Sequence, residues 1–213
     1  MTTKTLSRIA VLALVTAASV APAHAFRMIQ NTSVGRVSAG AAVSCNSAGG
    51  FAHWNIRNIN WFLNTANQGS NKASAIQAAL NVWTNVSSAN HVLTYGGTTT
   101  AGFSTDGRNT VVFQTGNGCS GSCLAITALV LQSGQVIVET DVSFSNSRTW
   151  STSGADFDTQ AVAAHEFGHA LGIHHTELSS SPRPTMYASY FGTDGRSLAS
   201  DDNAALQCAE SRY

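Results

Sequence analysis

Five residues in one short stretch carry the chemistry of this chain: His165, Glu166, His169, Gly172 and His175, spaced H-E-x-x-H-x-x-G-x-x-H. Residues four apart on a helix share a face, so His165 and His169 aim both imidazoles at one point. Glu166 is next to a ligand rather than opposite it, so its carboxylate reaches a water on the metal without taking a coordination position. Gly172 has no Cβ and takes the left-handed conformation that ends a helix and turns the chain back. That turn delivers His175 as a third ligand. Three protein nitrogens leave the fourth position of a zinc ion open, the mark of a catalytic rather than a structural site. A bare H-E-x-x-H arises by chance in roughly one chain in tens of this length, and the added glycine and histidine lower those odds by a factor on the order of several hundred.

The flanks of this stretch resemble a known family. The histidine motif with a downstream methionine, Met186, is similar to the metzincin metalloproteases, whose Met-turn lies beneath the metal. Within that group, V-A-A-H-E-F-G-H-A-L-G-I-H-H (162–175), T-M-Y-A-S-Y (185–190) and S-x-D-D-x-x-A-L (ending at Leu206) resemble segments of the matrixin catalytic domain. H-W-N-I-R-N-I-N-W-F-L-N (53–64) and A-I-Q-A-A-L-N-V-W-T-N-V (75–86) resemble its first strand and first helix. The resemblance covers roughly 53–208. It implies a secreted zinc endopeptidase in which Glu166 activates the attacking water, with one catalytic Zn2+ and a protein or peptide as substrate. It also implies that Leu124 and Ala125 begin the strand lining the cleft, and that Met186–Tyr190 form the wall of the main side-chain pocket, with Tyr190 in the place of a family tyrosine. Ala188 stands where the family has a proline.

Departures from the family are equally specific. Matrixins hold a structural zinc and calcium near the cleft strand. Here L-A-I-T-A puts Ile126 or Thr127 where a histidine is expected, Ser143 stands at the second such position, and the acidic calcium run has become S-N-S-R (145–148). Asp141 is the one remnant, so calcium is left open and a single zinc is expected. Isoleucine cannot ligate zinc and serine does so poorly. No P-R-C-G latency motif is present, since Cys45 lies in V-S-C-N-S.

The elements that must position these residues follow from pattern. Lys4 and Arg8, an apolar run from Ile9 to Val20 and Ala23-His24-Ala25 read as a signal peptide over 1–25, too short an apolar run to span a membrane. Residues 26–50 read as an N-terminal extension that wraps the surface or is partly loose. Residues 51–213 are the catalytic domain. Alternation over 58–64 predicts a strand, and Ile76, Ala79, Leu80 and Trp83 predict a helix that Ser70 or Asn71 would cap. Val92–Tyr95 and Thr110–Gln114 read as strands, and Leu124–Leu131 and Gln135–Phe144 as a hairpin across Gln132-Ser133-Gly134. The expected fold is α+β: a twisted mixed sheet of about five strands with an antiparallel edge strand, two long helices behind it, and a C-terminal subdomain with the Met-turn and a final helix. The edge strand would bind an extended peptide by strand addition.

Other residues read as structural. Asp156 and Asp158 precede the zinc helix as caps, Asp201 and Asp202 cap the last helix and support the Met-turn, and Trp54, Trp61, Trp83 and Trp150 belong to the core. His53 and His91 have no ligand-like neighbour in sequence, and His174 breaks the x-x-H spacing. Four cysteines in an exported chain imply two disulfides with three possible pairings. The Ser-Gly-Ser spacer between Cys119 and Cys123 closes a small loop, which leaves Cys45 with Cys208. Eleven basic and eleven acidic residues balance to zero charge, which offers no electrostatic case for nucleic acid or an anionic membrane, and a monomer is expected. The competing functions are a zinc hydrolase of non-peptide amides and a secreted zinc-scaffold binding protein, the latter disfavoured by an intact Glu166.

Overall fold

The computed structural model describes residues 25–38, 40–116 and 118–212. The signal peptide expected over 1–25 therefore falls, except for Ala25, outside the described residues. In chain order the elements are β1 (Arg27–Gln30), β2 (Gly35–Val37), β3 (Ala41–Val43), β4 (His53–Trp54), β5 (Asn58–Asn64), α1 (Ala73–Thr84), β6 (Val92–Thr99), β7 (Asn109–Gln114), β8 (Ala125–Gln132), β9 (Val136–Ser145), β10 (Trp150–Ser151), β11 (Phe157–Asp158), α2 (Thr159–Ala170), β12 (Ile173–His174) and α3 (Ser200–Glu210).

The five expected strands form the centre of a seven-stranded sheet in the order β8-β9-β7-β5-β6, with β8 antiparallel to β9 and the others parallel; β2 and β4 are the two further strands, β4 lying parallel against the start of β9. Parallel strands need crossovers, and α1 supplies the one between β5 and β6. In β5, Ile59, Trp61 and Leu63 face the core and the intervening residues point away, as a period of two dictates. In α1, the buried Ile76, Ala79, Leu80 and Trp83 form the stripe that packs on α2. Ser70 and Asn71 do not cap α1. Both belong to a 3₁₀ turn over Asn67–Asn71, and the helix begins after Lys72 without a side-chain cap. That turn is held by long-range bonds: the Asn67 amide donates to Phe113 O at 2.6 Å and the Gln68 amide to Arg148 O at 2.7 Å.

The extension over 26–50 is not loose. β1 pairs with β12 and β3, Met28 is fully buried, and β2 adds to the outer side of β8 at Gly35↔Leu131, Arg36↔Val130 and Val37↔Leu129. The expectation of a bare edge strand therefore needs correction: β8 has a free edge only along its first half. Two disulfides are present, Cys45–Cys208 and Cys119–Cys123. The first ties the extension to α3. Trp54, Trp61, Trp83 and Trp150 are all buried. Among the described residues, no helix is long and apolar enough to cross a membrane.

Candidate metal centre

α2 carries the first half of the histidine motif, and its seating is specified on several sides. Asp158 caps it, accepting from Ala161 N at 2.8 Å, and the Arg196 guanidinium holds the same carboxylate from outside. Asp156 does not cap: its carbonyl accepts from the Tyr190 hydroxyl, which in turn accepts from Asp158 N at 2.9 Å. The indoles of Trp83 and Trp54 donate to Ala164 O and Ala170 O, both at 2.8 Å, so two core tryptophans fix the rotation of the helix. At Gly168, α2 lies hard against its neighbours. A Cβ there would lie 2.2 Å from Met186 Sδ and 2.8 Å from Trp83.

The turn after α2 takes the left-handed form at Gly172, with φ +86, and a Cβ at that position would meet Ala52 O at 2.1 Å. Conformation and contact both require glycine. The chain then reverses through β12, and the nitrogens of His165, His169 and His175 converge within 4.8 Å of one another. His175 Nε2 lies 3.1 Å from both His165 Nε2 and His169 Nε2.

The donor set fits a zinc ion. His165 Nδ1 lies 2.7 Å from Thr185 O, and His169 Nδ1 lies 2.7 Å from Ile173 O. A carbonyl accepts, so these Nδ1 atoms carry the hydrogens and both Nε2 atoms present bare lone pairs. Burial, reinforced by the neighbouring histidines, pushes His175 down to about 4 and His169 well below its ordinary value, so neither balances the cluster by protonation. Lone pairs held this close need a cation between them. A tetrahedral ion at ~2.0–2.1 Å from each nitrogen would set them roughly 3.3–3.4 Å apart, close to the observed spacing. The carbonyls orient the rings from behind, as outer-shell partners of metal-bound histidines do.

Glu166 is buried beside this cluster. Burial raises its carboxyl above the ordinary value, opposed by His165 and by a hydrogen bond from Thr127, whose hydroxyl lies 2.6 Å from Glu166 Oε2. The sequence marks Thr127 only as one of two positions where the family resemblance expects a histidine. The only signal was a hydroxyl in an otherwise apolar run.

Beneath the cluster, Asp202 of α3 accepts from Thr185 N at 2.8 Å and Met186 N at 3.0 Å. Thr176 N closes the same layer on Met186 O at 3.0 Å. Asp202 thus sets the turn whose Thr185 carbonyl orients His165. Asp201 accepts from Thr176 Oγ1 at 2.8 Å and from Ala25 N at 2.8 Å. Two cavities flank the histidines. The larger, about 600 Å³, is bordered by Leu124, Ala125, Val162, Tyr187 and Tyr190. The smaller, about 290 Å³, lies on the side of Ile126, Thr127 and His174 and is walled by Ser38 and Gly40 of the extension. His174 is outside the converging set, His53 Nδ1 contacts Phe51 O at 2.9 Å, and His91 is buried beside Glu210. Ile126 and Ser143, at the two departed positions, are register partners between β8 and β9.

A mixed sheet with two packed helices and three converging histidines that could hold a metal ion define an α+β protein of the metzincin kind. The Matrixin family model matches residues 53–209. The chain belongs to the matrixin family. Among its relatives, human neutrophil collagenase is 40% identical over 84 residues, 38% of this chain and 17% of the relative. Horse interstitial collagenase is 37% identical over 67 residues, 32% of this chain and 14% of the relative. Karilysin of Tannerella forsythia is 43% identical over 63 residues, 30% of this chain and 12% of the relative. The matched stretches span less than a fifth of these relatives' own length.

Proposed function

We propose that this chain is a secreted zinc endopeptidase, with residues 51–213 as its catalytic domain, 26–50 as an ordered extension and 1–25 as an export signal. The observation that supports it best is the convergence of bare Nε2 atoms beside a buried carboxylate at the junction of two cavities. His165, His169 and His175 hold the ion. When bound, zinc supplies Lewis acidity, polarising the scissile carbonyl and lowering the pKa of a water toward ~7.

The chain's own residues do the rest. Glu166 takes the proton of the attacking water and hands it to the leaving amine. Thr127 fixes the carboxylate through Oε2, which leaves the other oxygen to face the reacting water. Leu124 and Ala125 hold the substrate backbone at the free start of β8, and strand pairing supplies orientation. Tyr190, pinned by Asp158 N and Asp156 O, closes the larger cavity around one substrate side chain. Met186 braces the floor.

The expected test result has three parts. Mature protein cleaves members of a peptide library, loses that activity to a chelator and carries one zinc per chain by metal analysis. Glu166→Gln retains the zinc but loses turnover by several orders of magnitude, whereas His169→Ala loses both. Near-normal turnover in zinc-loaded Glu166→Gln would remove Glu166 from the role of general base. Turnover of small amides alone would favour the non-peptide hydrolase.

A further inference from the structure

One end of the cleft is bordered by β2, a strand of the protein's own N-terminal extension. β2 occupies the outer edge of β8 opposite Leu129–Leu131, in antiparallel register. Its direction is the one an antiparallel peptide on this edge would take, running toward the histidines. Beyond it, Ser38 and Gly40 wall the smaller cavity on the far side of the cluster. Gly40 is pressed against β1, where a Cβ would lie 2.7 Å from Ile29 Cγ2 and 2.8 Å from Gln30 O, so the chain turns away from the cleft there.

β2 is anchored, not merely resting on the edge. The Arg36 guanidinium reaches Asp141 Oδ2 at 2.9 Å and Glu139 Oε1 at 3.6 Å, and it stacks 4.3 Å from the Phe103 ring centroid. Asp141 is fully buried, so withdrawing Arg36 would take away one of the donors that satisfy it inside the sheet, leaving Thr110 N. Cys45–Cys208 tethers the same segment downstream.

A peptide extending the ladder that β2 begins adopts the same antiparallel sense, which is also the slightly more stable pairing. Its amino-terminal residues then lie toward Leu129, and its carboxyl-terminal residues lie toward Leu124 and the larger cavity. The free edge over Ala125–Ala128 spans about 10 Å at ~3.3 Å per residue, room for about three paired residues. Resting on the peptidase reading above, we propose that β2 is a specificity element. It limits the substrate to about three residues on the amino side of the scissile bond and leaves the carboxyl side as the main source of selectivity. The substrates are short peptides and flexible N-terminal segments of proteins, trimmed close to their beginnings.

The test is a set of fluorogenic peptides sharing one carboxyl-side sequence and carrying one to six residues before the scissile bond. A companion set is lengthened on the carboxyl side. The expected kcat/KM rises over the first two or three amino-side residues and is flat or falling thereafter, while carboxyl-side lengthening continues to help. A continued rise through six amino-side residues overturns the proposal, as does a plateau on the carboxyl side instead. If no member is cut, the peptidase reading fails. The affinity of the same peptides for zinc-loaded Glu166→Gln then decides the role of β2 by the same length dependence. Val37→Pro, which removes a strand N–H, should raise the six-residue member several-fold relative to the three-residue one. The wild-type series stands alone if that variant does not fold.

Discussion

At the scale of single residues, the centre shows how little separates a converging histidine from a bystander. His174 and His175 are adjacent, yet only His175, the residue just after β12, joins the converging nitrogens once the turn at Gly172 has reversed the chain. Thr127 is the residue whose role geometry adds. Its hydroxyl holds one oxygen of a buried carboxylate, and a hydrogen bond to a charged group contributes roughly 1.5–3 kcal/mol. Thr127→Val should therefore lower kcat by about tenfold with KM little changed, because what is lost is the aim of Glu166 rather than a substrate contact. Thr127→Ser should restore most of the activity. Steady-state kinetics on one fluorogenic peptide separate the cases: an equal loss in Ser and Val variants would make the effect one of packing.

At the scale of elements, what was legible in the sequence tracks how local the cause is. The His165–His175 spacing is itself a helix followed by a turn, so α2 and the delivery of the third histidine could be read directly. β5 announces itself by alternation, and β8 and β9 by apolar runs on either side of the Ser133-Gly134 turn. β2 does not: Gly35-Arg36-Val37 is three residues in a polar stretch, and its place comes from a partner 105 positions away, Asp141. The start of α1 departs from its expected Ser70 or Asn71 cap for the same reason, since long-range bonds from Asn67 and Gln68 draw Ser70 and Asn71 into a 3₁₀ turn. Asp141 also gives this part of the sheet a pH dependence. Burial pushes its carboxyl from an ordinary 3.8 up to about 7, against the lowering pull of the Arg36 guanidinium and Thr110 N. Between those values the folded chain keeps a proton that the unfolded chain has released, so this group's contribution is largest near pH 4 and is lost as pH rises toward 7. Glu166 and Asp202 are raised by burial too and act in the same sense. The comparison must therefore be between proteins: the urea midpoint of Asp141→Asn should fall less from pH 5 to pH 8 than that of wild type. Parallel curves would mean that Arg36 keeps Asp141 ionised throughout.

At the scale of the whole molecule, the extension belongs to the fold it precedes. β1 buries Met28 in the core, β2 completes the sheet, Asp201 of α3 gathers the amides of Ala25 and Phe26, and Cys45–Cys208 closes the circuit. The two disulfides differ in what they can do for stability. Cys45–Cys208 spans a sequence separation of 163, whereas Cys119–Cys123 spans only 4. Chain entropy scales with the logarithm of loop length, giving about 5 kcal/mol for the long loop and about 2 kcal/mol for the short one as upper expectations. The short bridge lies beside Leu124, at the mouth of the larger cavity, where Cys123 and Leu124 form part of the wall. Its removal should therefore act mainly on substrate affinity. The double variant Cys45→Ser/Cys208→Ser should lower the stability measured by urea unfolding by about 2–5 kcal/mol. In the same protein, loosening β1 and β2 should relax the length limit on the amino side of the substrate. The variant Cys119→Ser/Cys123→Ser should instead keep most of its stability and raise KM. If the two pairs of substitutions were equally destabilising, the extension would be an appendage rather than a structural part of the fold.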